Sequence, residues 1–139
     1  MVARRVEGVQ IERTADEILA VKEGSLEAHA INQSAAAIYD LCDGNTSRSE
    51  MAAELHRRTG LPADEEIVDL ALSELVETGL VMLDDPEPRP TGTRRALIRR
   101  LALSSTLALM LPVVETVVVP PAEAQQHTPK TPSPTPTIL

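Results

Sequence analysis

The sequence predicts an α+β fold in which a three-stranded antiparallel sheet is followed by three helices. Three observations support this prediction. Short apolar segments bounded by turn residues occur before residue 33, and helical spacing of apolar residues follows it. A proline-rich stretch at residues 86–93 then interrupts the pattern. Together they indicate a domain at residues 1–85 with a winged-helix-like order of elements.

The three predicted strands lie at residues 9–11, 17–21 and 26–32. Residues 14–16 (Thr-Ala-Asp) and 22–25 (Lys-Glu-Gly-Ser) have the composition of the turns between them. The connections are short, so neighbouring strands should pair antiparallel.

Three helices are expected after the strands. Ser34 can cap the first, which Asp43-Gly44 would end, and Ser47 or Ser49 can cap the second, which ends at Gly60. Pro62 and Asp64 open the third, whose apolar positions recur as a buried stripe until Gly79 stops it. Residues 80–83 are predicted to form a brief strand.

Composition limits both the core and the partners. Among the 139 residues Tyr39 is the sole aromatic residue, so the core must be aliphatic. Residues 1–85 carry 7 Lys or Arg and 18 Asp or Glu, a net charge of −11, whereas the later residues carry +3. An acidic body repels phosphates, so we expect no nucleic acid partner. The single cysteine, Cys42, fits a reducing cytoplasm, and residues 1–10 contain no apolar core of a secretory signal.

The residues after the domain divide into three parts. Residues 86–93 are a predicted linker, residues 94–124 a basic and then apolar segment, and residues 125–139 a Thr/Pro-rich tail expected to be disordered. Arg94-Arg95 and Arg99-Arg100 precede an apolar run at 101–119, which is near the length of a membrane helix. Three interpretations stay open: attachment to the inner face of a membrane, a signal-like or fused peptide-substrate-like tail, and packing on a partner protein.

No catalytic residue or metal site is predicted. His29, His56 and His127 lie in three separate regions without ligand spacing, and Cys42 has no cysteine partner. No nucleophile has a recognisable base or oxyanion context, and no phosphate-binding loop occurs. We therefore expect neither enzymatic activity nor a cofactor, and we expect Cys42 to be a small buried apolar residue.

Several motifs occur in a fixed order. Residues 31–39 are Ile-Asn-Gln-Ser-Ala-Ala-Ala-Ile-Tyr, and residues 41–44 are Leu-Cys-Asp-Gly. Met51 and Leu55 follow, and then Leu72, Leu75 and Gly79-Leu80. This order resembles the PqqD-like family over residues 9–83. Ile31, Tyr39, Ala71 and Ile67 depart from that family's usual residues, and the last two bear on the shape of the peptide groove.

The resemblance implies a function. Members of that family are non-catalytic chaperones that bind the leader of a ribosomally made precursor peptide and present it to a modifying enzyme, often a radical SAM enzyme with an iron–sulfur cluster. The leader adds as a strand beside the third strand, against the last helix. Two alternatives stay open, a winged-helix transcription regulator and a membrane-tethered adaptor, although the acidic last helix disfavours reading of a DNA groove.

The residues themselves are compatible with strand addition, because the edge of a three-stranded sheet leaves backbone groups unpaired. Glu27, His29 and Ile31 share one face of the third strand, and Ala28 and Ala30 share the other, where small side chains leave room for a ligand. Ile67 and Leu70 lie beside the main stripe of the last helix. They form either the second wall of the groove or part of the core.

Overall fold

The computed structural model of the protein describes residues 2–15, 17–84 and 94–118. The predicted linker at 86–93 and the tail at 125–139 lie outside these residues. The described elements, in chain order, are β1 (Ala3–Arg5), β2 (Val9–Arg13), β3 (Glu17–Lys22), β4 (Glu27–Asn32), α1 (Gln33–Asp40), α2 (Arg48–Thr59), α3 (Glu65–Glu77), β5 (Val81–Leu83), α4 (Arg94–Leu101), α5 (Ser105–Leu109) and β6 (Val114–Val118).

The predicted α+β class is confirmed, but the sheet prediction was wrong in two respects. The main antiparallel sheet has four strands in the order β2-β3-β4-β6, because residues 114–118 join the three predicted strands. A second, two-stranded sheet pairs β1 with β5, and β1 was not predicted. The arrangement is therefore not the winged-helix topology expected from the sequence.

The helix ends follow from local hydrogen bonding. Ser47 and Glu50 form a capping box at the start of α2, and Gly60 ends that helix at a φ of 81°. The Asp64 side chain caps α3. Ser34 was the wrong cap for α1: the Asn32 side chain accepts the Ala35 N–H instead, because α1 begins one residue earlier than Ser34.

The core is aliphatic, as the composition predicts. The side chains with no exposed surface include Ile31, Ile38, Met51, Leu55 and Leu75. Cys42 is also buried, at 1 % exposure, which confirms the interpretation of this residue as part of the core. Burial raises the pKa of its thiol to about 12. The thiolate that reacts with oxidants is therefore scarce at neutral pH.

The basic and apolar segment does not form the single helix expected within residues 94–124. Helix α4 ends at Leu101, Ala102 adopts a left-handed φ of 51°, and Ser104 caps the separate helix α5. Buried Pro112 precedes β6, whose residues are Val-Glu-Thr-Val-Val. β-Branched residues favour a strand over a helix, and proline cannot continue the hydrogen-bond pattern of α5.

Candidate functional site

Strand β6 lies along the edge of β4 that the sequence predicts to accept a peptide. The two strands are antiparallel, with Ala30 opposite Glu115 and Ala28 opposite Val117. The Asn32 N–H donates to the Val113 carbonyl at 3.2 Å. Hydrogen-bonded pairs alternate along an antiparallel ladder, so the Ala30 and Ala28 N–H groups also point towards β6. The edge is thus occupied by a later part of the same chain. We call residues 94–118, from α4 to β6, the C-terminal segment.

The two faces of β4 meet different residues of β6. On the core-facing side, His29 is opposite Thr116 and Ile31 is opposite Val114. His29 is only 3 % exposed, and its Nδ1 lies 2.9 Å from the Thr116 hydroxyl. Ala28 and Ala30 lie on the other face and remain partly exposed. The small residues therefore line the open face of the strand, whereas the core-facing side chains contact the occupant.

Asn32 connects the helix cap to the occupant. Its Oδ1 accepts hydrogen bonds from the Ala35 N–H at 3.1 Å and from the Val113 N–H at 3.0 Å. Its Nδ2 donates to the Leu111 carbonyl at 2.9 Å. The Asn32 side chain therefore joins the strand-to-helix junction to the backbone of residues 111 and 113.

Ser34 and a buried leucine extend this contact. The Ser34 hydroxyl donates to the Met110 carbonyl, and Ser34 itself is 1 % exposed. Leu111, the next residue of the segment, has no exposed surface and belongs to the domain's core cluster. The buried Leu111 side chain is thus held by side-chain donors of α1 and β4. Ser34 binds the Met110 carbonyl, and Asn32 binds the Leu111 carbonyl.

Glu74 of α3 binds the other side of the segment. Its Oε2 accepts the Val114 N–H at 3.0 Å, and its Oε1 lies 3.2 Å from an Arg94 nitrogen. The same Arg94 nitrogen donates to the Pro112 carbonyl at 2.6 Å. Burial raises the pKa of the Glu74 carboxyl above its ordinary value, although Arg94 and the Val114 N–H both act to lower it.

A second ion pair fixes α4 at the start of α3. Arg100 lies 3.2 Å from the Asp64 carboxylate and 2.7 Å from that of Glu66. The side chain of Arg100 is 48 % exposed, so solvent screens both contacts and we expect them to contribute only modestly to stability. Asp64 also caps α3, so the same carboxylate orients both helices.

Most apolar side chains of the segment face the domain, although Val117 and Val118 are exposed. Leu97 is 7 % exposed and lies in the core cluster. The further apolar side chains packed against that cluster are Ile98, Leu101, Leu103, Leu107, Met110 and Val114. Only Leu109, at 84 %, is highly exposed among the leucines of this part. The domain thus covers most of the apolar surface for which the sequence suggested lipid or a partner protein.

The described residues contain no helix of the length and apolar character needed to cross a membrane. Likewise, in residues 2–15, 17–84 and 94–118 no three His, Cys, Asp or Glu side chains cluster as metal ligands would.

The predicted site residues are found in two settings. Glu27, Ala28, His29, Ala30 and Ile31 all lie opposite β6. On α3, Ile67 has no exposed surface and belongs to the core cluster, whereas Leu70 is partly buried at its margin. Their part in a peptide groove stays a prediction.

The sequence did not indicate Ser34 or Glu74 as contacts of the segment. It did contain one signal for the strand itself. Residues 113–119 are Val-Val-Glu-Thr-Val-Val-Val, and such dense β-branching favours a strand.

The resemblance implies a strand added beside the third strand and against the last helix. Strand β6 pairs with β4, and Glu74 of α3 accepts the N–H of its first residue, Val114. The family model described as "Coenzyme PQQ synthesis protein D (PqqD)" matches residues 8–81, which is more than half of the chain. The chain belongs to the PqqD family. No curated protein and no solved structure matches it. Membership in the PqqD family supports a role as a non-catalytic accessory protein that binds precursor peptides. The match ends at residue 81, so residues 94–118 lie beyond it.

Proposed function

We propose that this PqqD-family domain is a peptide-presenting chaperone whose binding site is the edge of β4 together with the facing part of α3. In this role it holds the leader of a ribosomally made precursor peptide as an added strand. A peptide-modifying enzyme of the radical SAM type, the kind implied by the family resemblance, then acts on the residues beyond the leader.

The observation that carries the proposal is the register of β6 on β4. Five residue pairs, from Glu27 with Val118 to Ile31 with Val114, align without interruption. Main-chain hydrogen bonds of this kind supply affinity for any extended peptide, and side-chain contacts add selectivity. The edge is therefore able to bind a strand.

The side chains around the edge support the same function. Three side chains bind backbone groups of the C-terminal segment. Asn32 binds Leu111 and Val113, Ser34 binds Met110, and Glu74 binds Val114. Backbone groups are common to all peptides, so these contacts do not depend on one leader sequence. The acidic character of residues 1–85 in turn favours a basic peptide.

A peptide-exchange experiment tests the proposal. A protease recognition sequence is placed within residues 86–93, the full chain is folded and then cut, and a fluorescent synthetic peptide of residues 94–118 is added in excess. We expect the labelled peptide to replace the chain's own segment, which native mass spectrometry would detect. If the labelled peptide does not exchange at any concentration, even after long incubation, the site does not bind peptides reversibly and the proposal is contradicted.

Backbone N-methylation provides a matched control. The Val117 N–H points towards Ala28, whereas the Thr116 N–H points away from β4, since residues 29 and 116 form a non-hydrogen-bonded pair. Methylation at Val117 removes one ladder bond of about 0.5–1.5 kcal/mol, so binding should weaken roughly two- to twelvefold. Methylation at Thr116 should weaken it less. Equal effects would rule out strand addition in this register.

A further inference from the structure

We infer that residues 94–118 are a built-in leader and that the residues after Val118 are the peptide that this chain presents to its partner enzyme. The inference rests on the proposed function of the β4 edge. It adds that the bound peptide is part of the same chain, so that recognition domain and substrate are fused.

The contacts follow the segment continuously from its first helix to its strand. Arg94 is paired with Glu74 at one end, and Thr116 contacts His29 near the other. Between them, Leu111 fills a fully buried position. Helices, buried anchor and strand are all held, so the domain surface matches this segment over its whole described length.

Charge also matches the segment to the domain. Residues 1–85 carry a net charge of −11, and the arginines of α4 contact carboxylates of α3 and its cap. Opposite charges on binding surfaces guide association and discriminate among partners. A ligand of the opposite charge sign is therefore present within the chain itself.

Covalent attachment gives the built-in segment a large advantage over a separate leader. Only residues 85–93 separate the described part of the domain from α4. A short tether produces an effective concentration of roughly millimolar, so a separate peptide at micromolar concentration must bind about a thousandfold more tightly to compete. The fused segment is accordingly the expected ligand of this site.

The direction of β6 places its C-terminal end beside the start of β4. Because β6 runs antiparallel to β4, Val118 lies opposite Glu27, at the start of β4. Residues 119–139 contain Thr128, Thr131, Ser133, Thr135 and Thr137 together with six prolines. They contain neither cysteine nor an aromatic residue. The presented substrate is therefore a proline-rich peptide that offers hydroxyl, amide, amine and imidazole side chains.

A plug that only blocked the site would not require this following sequence. Residues 119–139 follow β6 in the sequence and are rich in proline and in hydroxyl side chains. A leader, in contrast, must be followed by the peptide that the enzyme modifies. The order of strand and then proline-rich sequence fits presentation.

Mass spectrometry of the full chain from the cells that encode it tests the inference. After proteolysis, we expect fragments from residues 119–139 to differ in mass from the sequence value and fragments from residues 94–118 to match it. Unaltered mass at 119–139 in protein from those cells would overturn the inference. Alteration confined to residues 94–118 would overturn it as well.

Two proline variants of the full chain show whether the alteration depends on β6. Val117→Pro removes an N–H that points to β4, and Val118→Pro, at an exposed side chain, removes one that points away. Both positions lie outside the residues that the family model matches. We expect Val117→Pro to lower the altered fraction at least severalfold more than Val118→Pro. Equal fractions would contradict presentation by β6. Peptide exchange without any altered mass would leave the proposed function standing and refute the fused substrate.

Discussion

Asn32 and Val113 hydrogen-bond to each other twice. The Asn32 N–H donates to the Val113 carbonyl at 3.2 Å, and the Val113 N–H donates to Asn32 Oδ1 at 3.0 Å. The second bond uses a side-chain oxygen where a regular ladder would use the main-chain carbonyl. The Asn32 side chain thus caps α1 and also accepts the N–H of Val113, the residue that precedes β6.

Replacing Asn32 should therefore weaken both the helix and the attachment of the segment. Asn32→Ala leaves the Ala35 and Val113 N–H groups without their acceptor, and we expect the free energy of unfolding to fall by about 1–3 kcal/mol. Asn32→Asp retains the acceptor and loses only the bond to the Leu111 carbonyl, so it should cost less. Urea denaturation measures the stability, and hydrogen exchange at Val113 measures the attachment. A larger loss for Asp than for Ala would contradict this role.

Glu74 should make stability depend on pH in a defined direction. Its pKa in the folded protein is raised above the ordinary 4.5, so its contribution to stability is fully present below that value and is lost as pH rises through the folded-state pKa. Glu74→Gln keeps the side chain neutral. Relative to the unsubstituted protein, its free energy of unfolding should increase as pH is raised from acid to neutral. A relative decrease over that range would show that Arg94 outweighs burial.

Asp43 provides the opposite case. Hydrogen bonds from the Asn45 N–H and the Thr46 hydroxyl lower the pKa of Asp43 below 3.8 in the folded protein. Its contribution is present above the ordinary pKa and is lost as pH falls through the folded-state pKa. Asp43→Asn should thus destabilise the protein at neutral pH, and the difference should shrink in acid. The stability differences of Glu74→Gln and Asp43→Asn should therefore change with pH in opposite directions. A change in the same direction would contradict the two pKa shifts.

A designed disulfide tests the register of β6. Glu27 and Val118 are opposite each other at a non-hydrogen-bonded position, where Cα atoms lie about 4.5 Å apart, within the range for a disulfide. Glu27→Cys with Val118→Cys should oxidise readily and stabilise the protein by about 2–4 kcal/mol. Cys42 should not compete, because it is buried and its pKa is raised to about 12.

The matched control for this disulfide is Glu27→Cys with Val117→Cys. The side chain of residue 117 points to the opposite face of the sheet, so no bond to residue 27 is expected. Non-reducing electrophoresis and thiol titration distinguish the two variants. Equal oxidation of both would indicate a register other than the one described.

The sequence predicted much of the domain because its signals are local. The caps at Ser47 and Asp64 and the glycine at position 60 define helix ends within a few residues, and alternation defined three strands. The role of Ser34 was predicted wrongly because Asn32, two residues earlier, is an equally good cap. Local preference alone could not choose between them.

The candidate site was only half predictable. The edge of β4 was recognised because an exposed strand edge needs a partner. Its occupant was missed because the apolar length of residues 101–119 suggested one membrane helix, whereas the structure divides the run at Ala102 and at Pro112. Pairing of β4 with β6 joins residues more than 80 positions apart, and periodicity carries no information on such contacts.

The ion pair at Arg100 should respond to charge reversal and to salt. Arg100→Glu places like charges beside Asp64 and Glu66, so we expect the free energy of unfolding to fall at low ionic strength. The loss should shrink near 1 M salt. Arg99→Glu is the control, since Arg99 is exposed and forms no ion pair with any described residue. Equal losses for the two variants would assign the effect to net charge alone.

The central claim is that the attached segment occupies the peptide site and excludes a separate peptide. The most direct measurement is the apparent Kd of the labelled 94–118 peptide for the same protein before and after cleavage within residues 86–93. Cleavage lowers the competing concentration from roughly millimolar to the micromolar concentration of the protein, so we predict that binding tightens by about two to three orders of magnitude. An apparent Kd that is unchanged by cleavage would show that the segment does not occupy the site, and would contradict the claim.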